Sequence, residues 1–113
     1  MAEPDHKWRK GDTVKQYFTL KSAGTAVDLT AATAVTYYAR LVGASANTID
    51  GVACTIETAA SGYCSFTPPG TSPAGWYYEY QLVAWGDGTQ SRFPTDGDGD
   101  DYYGTLQITP NLE

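Results

Sequence analysis

The residues best suited to chemistry are concentrated in one short run. Residues 94–104 read PTDGDGDDYYG and hold four carboxylates, Asp96, Asp98, Asp100 and Asp101, before turning aromatic at Tyr102 and Tyr103. Asp96, Asp98 and Asp100 take the first, third and fifth places of an EF-hand-type calcium loop, where oxygen-rich, flexible segments suit a hard cation. The remainder departs from that loop. Its sixth place is Asp101 where Gly makes the sharp turn, its twelfth is Gln107 where a bidentate Glu closes the shell, and no helical pattern flanks it. Asp96, Asp98 and Asp100 are therefore weak calcium candidates. The competing reading is a solvated connection between strands, in which Gly and Asp supply turn conformations.

Other chemistry finds few residues. The single histidine, His6, lies in a polar segment, residues 1–10, expected to be flexible, so a nucleophile activated by a histidine base has no base to use. A zinc site wants three or four Cys or His ligands, and the chain has only Cys54, Cys64 and His6. No acid is marked as buried beside another, as glycoside cleavage requires. The expectation is a protein with no catalytic residue and no cofactor. Cys54 and Cys64 are ten residues apart, and a hairpin symmetric about Ala59 would set them face to face. They are expected to be free thiols in a reducing cytoplasm, close enough for a bridge. Three Trp and nine Tyr suggest either a sugar-stacking platform or ordinary core and contact surface, which strand aromatics serve equally well.

The elements that position these residues read as strands throughout. At 113 residues the chain has the size of one domain, assigned to residues 11–111, with Leu112-Glu113 read as the remnant of an expression tag. Thr, Tyr, Val and Trp alternate with polar residues between short clusters of Gly, Ser, Asp and Pro, and helix patterns are nearly absent. Alternation over DTVKQYFTL, VTYYARLV and GWYYEYQLVAW, with hairpins at 54–66 and at Gly86-Asp87-Gly88, predicts an all-β, immunoglobulin-like β-sandwich of seven to eight antiparallel strands. The expected core includes Phe18, Leu20, Leu29, Val35, Tyr37, Leu41, Phe66, Leu106 and Ile108. Either face of the strand at 75–85 is rich enough to be the inner one. Tyr78, Tyr80 and Leu82 are taken as core, which leaves Tyr77 and Trp85, with Tyr102 and Tyr103, as candidates for partner binding. A net charge of −6 repels phosphate backbones and argues against a nucleic-acid partner. No run approaches the roughly 20 apolar residues of a spanning helix, and MAEPDHKWRK has no apolar signal segment, so no membrane role and synthesis in the cytoplasm are expected.

The order of several short pieces resembles a known family. A Gly-Asp lead-in to the first strand, VDLT before an alternating strand, PAGWYYEY, GDGT and RFP resemble the immunoglobulin-like N-terminal domain of tailed-phage upper baseplate proteins and related virion proteins, from Gly11 to Pro110. The acidic insertion at 96–103 is longer than that pattern, and no coil or receptor-binding domain follows. The resemblance implies a non-catalytic virion or prophage module, at the baseplate or elsewhere in head or tail, that docks on other phage structural proteins, often as a homo-oligomer within a symmetric ring. It brings no ligand residues. The alternatives are a carbohydrate-binding module and a calcium-stabilised adhesive domain.

The acidic run generates the first test. Four like charges within eight residues favour a cation, but with the turn Gly and closing Glu missing, water must complete the shell. Calorimetric titration is expected to give a calcium dissociation constant no tighter than millimolar. A micromolar constant abolished by Asp98→Asn/Asp100→Asn would restore the calcium site.

Overall fold

A computed structural model describes residues 6–22, 25–93 and 104–110. The described residues form eleven strands: β1 (His6–Arg9), β2 (Gln16–Thr19), β3 (Lys21–Ser22), β4 (Thr25–Ala26), β5 (Ala32–Leu41), β6 (Ile49–Ala53), β7 (Thr55–Thr58), β8 (Tyr63–Phe66), β9 (Gly75–Trp85), β10 (Gln90–Phe93) and β11 (Gly104–Thr109). The only helical element among them is one 3₁₀ turn, Ala59–Ser61. The all-β expectation therefore holds. A six-stranded sheet runs β1-β11-β9-β5-β6 with β10 also on β9, a second sheet runs β2-β8-β7, and β3 pairs with β4.

Two long strands organise the larger sheet. β5 and β9 pair antiparallel over nearly their whole length, from Ala32 opposite Trp85 to Leu41 opposite Tyr77. On its other side β9 pairs first with β11, from Gly75 to Glu79, and then with β10, from Gln81 to Ala84. Phe93 lies opposite Gln81 and Gly104 opposite Glu79. β10 and β11 thus follow a single track along β9, interrupted at Tyr80, with Phe93 ending one piece and Gly104 beginning the other.

Period-2 alternation puts one face of each strand into the interior. One cluster joins Trp8, Tyr37, Ala39, Ile49, Tyr77, Leu106 and Ile108 of the larger sheet to Phe66 of the smaller. A second joins Val35, Val83 and Phe93 to Leu20, Leu29 and Cys64. Both sheets therefore bury their apolar faces against one another, and half-buried Phe18 and Cys54 pack against both clusters.

Several expectations need correction. On β9 the inner residues are Tyr77, Glu79, Gln81 and Val83, while Tyr78, Tyr80 and Leu82 lie on the outer face. The acid and the amide mark that face as outward in sequence; in the structure each is buried, and Glu79 is satisfied by residues remote in the chain. The segment expected to be flexible contributes β1, because His6 and Trp8 alternate inward with Lys7 and Arg9 outward. β1 also pairs parallel with β11, so the sheet is mixed rather than wholly antiparallel. In the β7–β8 hairpin Ile56, not Cys54, faces Cys64, since the 3₁₀ turn and a register shift between Ile56 and Thr58 move the pairing by two residues. Residues 1–5 and 111–113, including the suggested tag remnant, lie outside the described residues.

Gly62 closes that turn with φ 65°, and a Cβ there would come within 2.7 Å of the Val27 carbonyl oxygen and 2.9 Å of that of Leu20. Gly62→Ala is expected to destabilise the fold by roughly 2–4 kcal/mol, about 1 from the left-handed conformation and the rest from the forced shift. Gly88, φ 89° with nothing near it, meets only the first cost on substitution by Ala. Urea denaturation of both variants checks the difference; equal losses would show that the close approach at Gly62 carries no energy.

Candidate functional site

The most structured polar site lies between the two sheets. β1 brings His6, β5 brings Tyr37 and β9 brings Glu79, exposed by 8%, 0% and 3%. His6 Nδ1 is 2.7 Å from Glu79 Oε2 and 2.9 Å from Oε1, and the Tyr37 hydroxyl donates to Oε1 at 2.5 Å. His6 Nε2 is 3.2 Å from the Tyr17 main-chain oxygen on β2. A carbonyl only accepts, so Nε2 carries a hydrogen. Across the Nδ1 contact one further proton sits either on the imidazole, giving an ion pair, or on the carboxyl, giving a neutral pair. In both arrangements the pair holds one proton. The rings of Phe18, Tyr37 and Phe66 stand edge-on to the imidazole at 5.8–6.2 Å.

This arrangement can bind or transmit a proton, but nothing poises it for nucleophilic attack, because the hydroxyl it holds, that of Tyr37, donates to the carboxylate and is sealed from solvent. Beside it opens a cleft of about 420 Å³ whose walls include His6, Thr19, Lys21, Glu79, Gln81 and Phe93. Sequence reasoning missed this site. A His-x-Trp alternation at residues 6–8 and a lone acid amid aromatic residues at 79 were its only signals, and their pairing spans 73 positions.

The outer face of the larger sheet carries the second concentration of functional side chains. Tyr38 and Tyr80, opposite each other on β5 and β9, stack at 5.0 Å between ring centroids. The Arg92 guanidinium lies 4.4 Å from the Tyr80 ring and that of Arg40 lies 5.7 Å from the Tyr78 ring. Asn47 donates to the Tyr80 hydroxyl at 3.0 Å. Tyr78 and Val42 remain exposed on this side.

The other candidates are dispersed. Tyr77 is buried, and its hydroxyl donates to the Pro73 carbonyl at 2.5 Å, so it cannot serve as a surface contact. Burial also pushes its phenol up. Trp85 packs on the second core cluster and its indole donates to Ser91 at 2.8 Å. Asp96, Asp98, Asp100, Tyr102 and Tyr103 lie outside the described residues. Among the described residues no group of three His, Cys, Asp or Glu side chains is placed to hold a metal ion. Cys54 and Cys64 are free thiols. Burial pushes Cys54 up to about 12 and Cys64 up to about 11, so both stay protonated and weakly nucleophilic at neutral pH. Comparison of the chain with family models and with curated proteins finds no match.

Glu79→Leu or His6→Leu, each stranding a buried polar partner, is expected to cost about 3–5 kcal/mol, and the double variant less than the two losses summed. Urea denaturation of the single and double variants checks both; additive losses in the double variant would show that the two groups do not interact.

Proposed function

We propose that the chain is an immunoglobulin-like, non-catalytic module of a phage or prophage particle, acting through protein–protein contacts. The finer fold assignment is supported by strand order. Counting β10 and β11 as one interrupted strand, the larger sheet follows the G-F-C-C′ order of that fold, with β1 outside G, and the smaller sheet follows B-E-D. The bond from the Tyr77 hydroxyl back to Pro73, near the start of β9, matches the tyrosine corner that such sandwiches place at the start of strand F. In this reading, with the two-residue strands β3 and β4 set aside, the strand count is eight.

The observation that carries the contact function is the outer face of β5 and β9. Tyr and Arg dominate the energetic centres of protein interfaces, and here two Arg and three Tyr converge on one sheet face. Guanidinium–ring stacking pre-orients these side chains, which reduces the entropy lost on docking. A sheet face is also a rigid platform that presents them together. Particle location, self-association in a ring and docking on other structural proteins follow from the sequence resemblance.

The test uses particles. The chain is expected to co-purify with phage particles banded on a density gradient after prophage induction. A Tyr78→Ala/Arg40→Glu variant, folded by circular dichroism, is expected to remain in the soluble fraction. Incorporation unaffected by that variant, or specific binding on a glycan array, would overturn the assignment.

A further inference from the structure

We infer that Tyr17 and Tyr63 form a modification site, at which a one-electron oxidant of phenols joins the two rings by a carbon–carbon bond and straps β2 covalently to β8. Tyr17 lies opposite Ser65 and Thr19 opposite Tyr63, so the two tyrosines are diagonal neighbours across the antiparallel pair. Phe18 and Cys64, next to them in the chain, pack on the core clusters, and strand alternation therefore sends both phenols to the outer face of the smaller sheet. There the rings are parallel to within 9°, their centroids are 5.6 Å apart, and the residues are 49% and 37% exposed. The pair is both assembled in advance and open to a soluble oxidant.

The other described tyrosines are less suited. Tyr37 and Tyr77 are buried, and their hydroxyls donate to Glu79 and to the Pro73 carbonyl. Tyr38 and Tyr80 stack at 5.0 Å but are half-buried, and the Arg92 guanidinium, 4.4 Å from the Tyr80 ring, opposes loss of an electron there. The Arg40 guanidinium, 5.7 Å from the Tyr78 ring, acts in the same sense. At the Tyr17–Tyr63 pair the chemistry balances as follows. Each phenol gives one electron to the oxidant and its hydroxyl proton to solvent, leaving a phenoxyl radical with spin at the carbons ortho to oxygen. One ortho carbon of each ring couples to the other, and the hydrogens those carbons carried pass through solvent to the oxygens. One carbon–carbon bond forms, two ortho C–H bonds break, and two electrons and two protons leave; hydrogen peroxide, acting through a haem peroxidase, takes them up as two molecules of water. The torsion between Cβ and the ring is soft, so rotation there lets the ortho carbons meet while the strands stay in place. Fixed proximity makes the coupling effectively unimolecular and favours it over coupling between chains.

This site goes beyond the proposed contact function and does not rest on it. The test treats the full chain, in dilute solution, with a haem peroxidase and hydrogen peroxide. The expected product is a single chain lighter by two hydrogens, with dityrosine fluorescence, in which the tryptic peptides 16–21 and 41–92 are joined through Tyr17 and Tyr63. Tyr17→Phe and Tyr63→Phe each keep the ring and remove one phenol. Both variants, folded by circular dichroism, are expected to lose the product within the chain, whereas Tyr38→Phe keeps it in full. The joined chain is expected to unfold at a higher urea concentration than the untreated chain, because a cross-link between native neighbours restricts the unfolded state. A product that survives in Tyr17→Phe, a bond at another tyrosine pair, coupling only between chains, no dityrosine at all, or a joined chain no more resistant to urea would each overturn the strap.

Discussion

An imidazole and a carboxylate buried between two sheets must satisfy each other, because either one alone would face a desolvation cost of several kcal/mol. His6 and Glu79 do so across 73 residues of chain, with Tyr37 and the Tyr17 carbonyl completing the network. A buried pair of this kind adds little net stability over an apolar pair of the same volume; what it contributes is register. Sliding β1 by one residue along β11 would direct Lys7 and Arg9 inward and leave Glu79 without its partner. The His6–Glu79 contact therefore fixes the register of β1 on β11, and by the Nε2 contact the network ties both sheets together. The aromatic cage of Phe18, Phe66 and Tyr37 forms around that fixed point, with Tyr37 and Phe66 stacked at 4.0 Å.

Much of the fold is visible in the sequence because strands announce themselves locally. Alternation in VTYYARLV and GWYYEYQLVAW places β5 and β9, and the Gly-Asp-Gly turn joins β9 to β10, with Asp87 accepting from Thr89 N–H at 3.0 Å. The inner face of β9 was not legible. One face carries Trp76, Tyr78 and Tyr80 and the other Tyr77 and Trp85, so both are aromatic, and local polarity points to the wrong one, since Glu79 becomes an inner residue only after His6 arrives. His6 itself sits in a run so rich in charge that its alternation with Trp8 is easily taken for a solvated segment. The hairpin at 54–66 shows a different limit. Equal spacing suggests symmetric pairing, but a 3₁₀ turn capped by left-handed Gly62 absorbs residues asymmetrically, and no count of positions reveals that.

The polar stretch inside β9 has a structural cause. Glu79 and Gln81 flank Tyr80, the point at which the neighbouring track passes from β11 to β10. Where two strand ends meet instead of one continuous strand, the interior beside them is less completely covered, and a cleft opens to the edge of β2. An apolar pair at 79 and 81 would have left oily surface at that opening. A carboxyl group paired with His6 and an amide reaching the cleft are compatible with partial hydration.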